Sequence, residues 1–201
     1  MEVIILLDID GVLCLDGRNL NRDLVANLNL VVSDGAGPSG TTIVFNTAWN
    51  RLPLETMKSL LAEAGFRYPE CLVGQTNGCH GGGDPAREWL RDNNRVGTPY
   101  VMIDDSTNVG MSWGRLAHCN TGEGLTRAVV DKALSIIRRG IGCSKDEVQH
   151  LEDNLRLENH RLSTRCPWLT FAKINSFINH NSALVASATG WEGFMREACL
   201  E

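Results

Sequence analysis

Two carboxylates, Asp8 and Asp10, stand one residue apart at the end of an unbroken apolar run, in the stretch VIILLDIDGVLCLD. Alternate residues leaving a strand point the same way, so both carboxylates can act on one bound group. Two further apolar runs also end in polar pairs, Asn46-Thr47 after TTIVF and Asp104-Asp105 after YVMI. If these runs are neighbouring strands of one sheet, four carboxylates and a hydroxyl converge on one edge.

Carboxylates brought this close together cannot all stay ionised without a counter-charge. A hard divalent cation with oxygen ligands is the natural partner, and Mg²⁺ suits carboxylates that share it with a substrate phosphate. The sequence therefore predicts a Mg²⁺ site at this edge.

The elements that would position these residues alternate between strand and helix along the first 142 residues. Strands are predicted at 3–7, 41–46, 71–74, 100–105 and 114–120, and helices at 21–35, 52–65, 84–93 and 125–140. This order predicts an α/β fold, a Rossmann-like parallel sheet with helices on both faces. Such sheets bind ligands at the carboxyl ends of their strands, where the acidic pairs lie.

The character of the sequence changes after Gly142. Ser144 and Glu147 form a capping box, and Val148 and Leu151 begin an apolar stripe at helical spacing. The chain is thus predicted to divide into an α/β domain, residues 1–142, and an all-helical extension, residues 143–201. The extension has three alternative roles: a lid over the site, a homodimer interface, or a docking surface for a partner.

Composition narrows the classes of function and location. The formal net charge of -5 argues against a protein that grips nucleic acid by bulk charge, although a local basic groove stays open. The seven cysteines include no CxxC pair, which predicts free thiols in the cytoplasm and argues against structural zinc. No apolar run approaches the length of about 18 residues that a membrane span needs, so no membrane partner is expected.

Three motifs resemble those of the haloacid dehalogenase (HAD) superfamily of phosphohydrolases. LLDIDGVL resembles its first motif, IVFNTAW its second, and YVMIDDS its fourth, each at a predicted strand end and in the right order. The segments NTAW, REWL and GLTRAVVDKAL are similar to those of small HAD phosphatase-like domains, some of which occur in RNA-repair proteins. The resemblance covers roughly residues 1–140.

The resemblance implies a Mg²⁺-dependent phosphatase that works in two steps through an aspartyl-phosphate. Asp8 would be the nucleophile, and Asp10 the general acid and then the general base. The residues around the bound phosphate would be Gly11, Asn46, Thr47 and Ala48, with the Thr47 hydroxyl bound to a phosphoryl oxygen. The metal ligands would be Asp8, Asp10 through its carbonyl, Asp104 and Asp105.

The third motif of the family departs from the expected pattern. In the family this motif supplies a Lys, or an Arg in some members, ahead of the strand that bears motif four. This chain has CHGGGDPAREWLRDNN in that region, and Gly82 occupies the position at which the cation is expected. Arg87 and His80 are the two candidates for the missing cation. The alternative to an enzyme is a catalytically weak Mg²⁺- or phosphate-binding module whose helical extension recruits a partner.

The spacing of the motifs bears on the substrate. The intervals from Asp10 to Thr47 and from Thr47 to Asp104 are too short for the cap domain that many HAD enzymes insert. An open site admits a large substrate, and the RNA-repair relatives favour the phosphate of a nucleotide or polynucleotide end, whereas the acidic composition opposes it. Trp49 lies just beyond a strand end; packing is its favoured role, with stacking on a base as the alternative.

Overall fold

The computed structural model describes residues 2–77, 83–107 and 114–142. Strands and helices alternate along these residues as predicted. The strands are β1 Val3–Leu7, β2 Thr41–Phe45, β3 Leu72–Gln75, β4 Tyr100–Asp104 and β5 Leu116–His118. The α-helices are α1 Arg22–Asp34, α2 Leu54–Glu63, α3 Gly83–Asp92 and α4 Arg127–Arg139.

All five strands run parallel in one sheet, in the order β3-β2-β1-β4-β5. β1 is the central strand, and its last residue, Leu7, pairs with Phe45 of β2 and with Ile103 of β4. The prediction of a Rossmann-like parallel sheet is confirmed. Because the two neighbours of β1 end level with it, the residues that follow all three strands emerge at one edge of the sheet.

The central strand is buried from both faces. Ile5 and Leu7 pack into a core shared with α1, α2 and α4. Ile4 and Leu6 pack into a smaller core with Leu90 of α3. Helices therefore cover both faces, as predicted, and each fully buried side chain of this kind contributes about 1.5–3 kcal/mol to folding. This packing fixes the end of β1, where the acidic residues begin.

The helix ends follow the sequence signals closely. Asn21 caps α1, since its side-chain oxygen accepts from the backbone amides of Asp23 and Leu24. Thr126 occupies the N-cap position of α4 without a side-chain capping bond, and Gly140 ends that helix in the left-handed region at φ 63. β5 is shorter than the predicted 114–120, because the chain turns back at residue 120.

Several predictions fall outside the described residues. The helical extension at 143–201, its boundary and its role as a homodimer interface remain predictions. Where the structure is described, no helix is long and apolar enough to cross a bilayer. Three cysteines in that part of the chain, Cys14, Cys71 and Cys119, are buried free thiols.

Candidate active site

Three carboxylates meet where β1 and β4 end. Asp8, Asp104 and Asp105 each offer a carboxylate oxygen, and these oxygens lie within 4.8 Å of one another. Asp104 is only 2% exposed. The parallel pairing of β1 with β4 creates this cluster, because it places the residue after Leu7 beside the end of the neighbouring strand.

The electrostatics of the cluster are unfavourable without a counter-charge. Burial, and then the charge of Asp104, raise the pKa of Asp8 to about 7, although hydrogen bonds from the Thr47 hydroxyl and the Ile9 amide oppose the shift. Burial and then the charge of Asp105 raise the pKa of Asp104 to about 6 against a 2.8 Å bond from the Ser106 amide. Two carboxylates that resist ionisation, with the Asp105 carboxylate beside them, form a set of oxygen donors that fits a hard divalent cation.

Asp105 is fixed from two sides. The Thr121 hydroxyl donates to its Oδ2 at 2.7 Å, and its backbone oxygen lies 3.0 Å from Nε2 of His118. Its carboxylate also lies directly over Gly11, where any Cβ would overlap Oδ2 of Asp105. Gly11 has φ +69, so both its backbone conformation and this close approach require glycine.

Asp10 does not join the cluster of carboxylates, contrary to the expected convergence of all four. The chain leaves the extended conformation at Asp10 and turns at Gly11, so the strand rule that aligns alternate side chains no longer holds. Asp10 Oδ2 instead accepts a 2.9 Å bond from the indole Nε1 of Trp49. Its Oδ1 is buried and has no hydrogen-bond partner among the described residues. This carboxylate is therefore held in one orientation, and its second oxygen is buried without a hydrogen-bond partner among the described residues.

Thr47 links the end of β2 to Asp8. It is fully buried, its hydroxyl is hydrogen-bonded to the Asp8 carboxylate, and it also accepts a 3.3 Å bond from the Trp49 amide. This second bond caps a short 3₁₀ turn, Ala48–Arg51, that brings the indole toward Asp10. Ala48 opens this turn and is exposed.

Asn46 holds the ends of two strands together. It is 1% exposed, and its side-chain oxygen accepts a 3.1 Å bond from the Thr76 hydroxyl just after β3. Asn50 donates to the Thr76 backbone oxygen at 2.8 Å. These contacts anchor the 48–51 turn to β3; a direct role for Asn46 in substrate binding stays a prediction.

The missing cation of motif three is still an open prediction. Arg87 lies on α3 and is 5% exposed. The charges that shift the pKa of Asp8 are those of Asp104 and Asp105. His80 and Gly82 lie outside the described residues.

Sequence reasoning did not foresee three neighbours of the acidic cluster. The first is Trp49, which donates a bond to Asp10 beside the cluster and also packs against the core, its favoured role from the sequence. The second is Thr121, which follows a strand without a motif. The third is Cys119, whose pKa burial and the nearby Asp104 raise to about 12. Its thiol stays protonated, which fits a site built from oxygen ligands.

The comparisons with known proteins agree with this geometry. The family model described as the HAD domain in Swiss Army Knife RNA repair proteins matches residues 4–130, which is more than half of the chain. No curated protein and no solved structure matches the chain. The chain therefore belongs to this HAD family, which confirms the resemblance seen in the motifs and indicates phosphohydrolase activity in general terms.

Two glycines with the same backbone conformation test the packing of Asp105. Gly11 has φ +69 and faces the Asp105 carboxylate, whereas Gly17 has φ +68 and nothing within 4 Å of its would-be Cβ. Gly17→Ala should cost only the left-handed strain of about 1–2 kcal/mol. Gly11→Ala should cost at least about 1 kcal/mol more, because Asp105 must leave Thr121. Urea denaturation of both variants measures this, and equal losses would contradict the close approach.

The raised pKa values predict how stability depends on pH without metal. Folded Asp8 and Asp104 hold protons up to about pH 7 and 6, whereas the unfolded chain releases them near 3.8. Their stabilising contribution is therefore complete below about pH 4 and is lost as pH rises through 7. We expect wild type in chelator to lose several kcal/mol of unfolding free energy from these groups between pH 4 and pH 8, at about 1.4 kcal/mol for each unit by which a pKa is raised.

Asp8→Asn provides the comparison for this pH dependence. It removes one titrating group and the repulsion on Asp104, so its unfolding free energy should change less between pH 5 and pH 8. Added Mg²⁺ should stabilise wild type at pH 8 and the variant much less. If the unfolding free energies of wild type and Asp8→Asn depend on pH in the same way, repulsion among these carboxylates does not reduce stability.

Proposed function

We propose that the chain is a Mg²⁺-dependent phosphatase, a phosphoric monoester hydrolase that acts through an aspartyl-phosphate on Asp8. The observation that carries the proposal is the cluster of Asp8, Asp104 and Asp105, whose carboxylate oxygens lie within 4.8 Å of one another. Membership of a HAD family supports the reaction class. Asp10, held apart from the cluster by Trp49, supplies a second carboxylate for proton transfer.

The metal site would consist of Asp8, Asp104 and Asp105, with the Asp10 backbone carbonyl as the further expected ligand. Bound Mg²⁺ would offset part of the negative charge of the three carboxylates and of the transferring phosphoryl group. Thr121 and Gly11 hold Asp105 in place, as the Ser106 amide holds Asp104. Such supporting contacts orient metal ligands before the ion arrives.

In the first step an oxygen of the Asp8 carboxylate forms a bond to phosphorus while the bond from phosphorus to the leaving oxygen breaks. Asp10 gives its proton to that leaving oxygen, which departs as an alcohol. The Thr47 hydroxyl, bonded to Asp8 before the reaction, can turn to an oxygen of the transferring group.

In the second step a water attacks phosphorus and gives its proton to Asp10. The bond from phosphorus to the Asp8 oxygen breaks, so inorganic phosphate leaves and both aspartates return to their starting states. Asp10 suits both steps, because one of its oxygens is fixed by Trp49 and the other has no partner among the described residues.

The short connections between the described strands support a large substrate. One helix, α1, joins β1 to β2, and α2, β3 and α3 account for the described chain between β2 and β4. No cap domain is present among these described elements. We therefore propose a phosphomonoester of a nucleotide or a polynucleotide end, which the description of the family as RNA repair also favours. A cytoplasmic location is supported by the free buried thiols.

Removal of the nucleophile gives the most direct test. Asp8→Asn should lower Mg²⁺-dependent release of phosphate from an aryl phosphate by about 10³-fold or more, because no covalent intermediate can form. Asp23→Asn, an exposed change in the first turn of α1, is the matched control. Release from wild type that is equally fast in chelator, or that survives in Asp8→Asn, would contradict the mechanism.

A wild type that is folded and binds Mg²⁺ but releases no phosphate from any substrate would favour the binding module instead. The missing cation is the reason to consider it. Arg87→Gln and His80→Gln separate the readings further, since an enzyme that uses either residue should lose turnover while keeping its unfolding free energy.

Trp49 should act as a positioning residue for Asp10. Trp49→Phe keeps the ring in its core contact but removes the indole donor, so Asp10 loses its fixed orientation. We expect kcat to fall about tenfold on an alkyl phosphate, whose departure needs a proton, and clearly less on p-nitrophenyl phosphate, whose leaving group does not. Mg²⁺ affinity should change little. An equal loss on both substrates would indicate a purely structural role for Trp49.

A further inference from the structure

A solvent-facing cleft of about 320 Å³ lies beside the proposed active site. We call it the Arg18–Trp49 cleft. Its walls come from the loop after β1, the start of α1, the 48–51 turn and α2, through Arg18, Asn19, Leu20, Arg22, Trp49, Leu60, Glu63 and Ala64. None of the residues proposed for catalysis or metal binding lines it.

Trp49 connects the cleft to the reaction. Its indole nitrogen donates to the Asp10 carboxylate at 2.9 Å, and its ring forms part of the cleft wall. Asp10 is the group that would protonate the leaving oxygen, so the leaving group must lie on the Asp10 side of the phosphorus. A leaving group larger than a simple alcohol would therefore extend toward this cleft.

The cleft carries positive charge although the chain as a whole is acidic. Arg18 and Arg22 are exposed, and neither forms an ion pair with an acidic side chain in the part of the chain that the structure describes. Glu63 is the acidic residue among the lining residues. Two guanidinium groups against one carboxylate leave a net positive charge at the cleft.

The Asp16 carboxylate stabilises the loop after β1 through hydrogen bonds and does not pair with the Arg18 guanidinium. Its Oδ1 accepts bonds from the backbone amides of Arg18 and Asn19 at 2.8 and 2.7 Å, and its Oδ2 from the Asn19 side chain at 3.0 Å. These bonds hold the pKa of Asp16 well below its usual range. The carboxylate is thus engaged by the loop's own amides, while the Arg18 guanidinium stays in solvent.

We infer that the Arg18–Trp49 cleft binds the nucleotide next to the scissile phosphate, so that the substrate is a phosphorylated polynucleotide end. Guanidinium groups bind phosphodiester oxygens well, and the Trp49 ring with Leu20 and Leu60 offers a flat apolar wall for a base or sugar. The volume, at the lower end of the ~300–1,000 Å³ of small-ligand sites, allows one nucleotide unit. This inference rests on the proposed phosphatase function.

The test compares three phosphomonoesters in Mg²⁺: a terminally phosphorylated dinucleotide, a nucleoside monophosphate that lacks the phosphodiester, and p-nitrophenyl phosphate. Wild type should prefer the dinucleotide to the monophosphate by at least about tenfold in kcat/KM, the size of one charge-assisted contact. Arg18→Gln and Arg22→Gln should each reduce this preference about 3- to 10-fold, and added salt should reduce it as well.

Two further variants make the test specific to the cleft. Glu63→Gln should raise kcat/KM for the dinucleotide, because it removes the opposing carboxylate. Arg138→Gln, an exposed change in the last turn of α4, makes the same charge change elsewhere and should leave the preference intact. A preference that survives the double Arg18→Gln, Arg22→Gln change, or that falls equally in Arg138→Gln, would overturn the inference.

The failure of this inference can be distinguished from failure of the phosphatase proposal. If p-nitrophenyl phosphate is hydrolysed but the dinucleotide has no advantage, the phosphatase stands and the cleft does not bind a nucleotide. If nothing is hydrolysed, equilibrium binding of the dinucleotide to Asp8→Asn still tests the cleft. Affinity that falls about 3- to 10-fold with Arg18→Gln would support it, and affinity indifferent to both arginines would reject it.

Discussion

The site depends on the crowding of three carboxylates within 4.8 Å of one another at the ends of two neighbouring strands. Their mutual repulsion and their burial oppose the ionised state, so the arrangement is costly unless a cation binds. The protein can maintain it because β1 is packed from both faces, which holds its end in place. The apolar runs before the acids are thus part of the site, since they supply the stability that the acids reduce.

The position of Asp10 shows how one tight turn separates two carboxylates that lie only two residues apart in the sequence. The turn at Gly11 directs Asp10 away from the cluster and also makes room for Asp105. Trp49 then holds Asp10 through its indole nitrogen, and Trp49 is itself positioned by the Thr47 cap that begins its turn. The same short backbone segment therefore places the proposed nucleophile, Asp8, among the proposed metal ligands and the proposed proton donor, Asp10, apart from them.

The sequence predicts most of the fold, since fully buried parallel strands appear as apolar runs and helix ends carry local signals. It also predicts which strand ends carry the acidic residues. Whether these residues meet depends on the order of the strands in the sheet, and the motifs alone do not give that order. The contacts from Thr121 to Asp105 and from Asn46 to Thr76 join segments far apart in the chain. No local pattern encodes such contacts, because they arise only when the sheet brings the loops together.

The acidic composition is weak evidence against an anionic substrate. A net charge of -5 describes the whole chain, but at physiological ionic strength exposed charges are largely screened beyond about 8 Å. The electrostatic potential at the Arg18–Trp49 cleft is therefore set by Arg18, Arg22 and Glu63 rather than by distant acidic residues. The Asp16 carboxylate is hydrogen-bonded to the backbone amides of its own loop. The loop can therefore contain this acidic residue and still present the Arg18 guanidinium to a ligand. Local geometry, rather than summed charge, decides which substrates such a site admits.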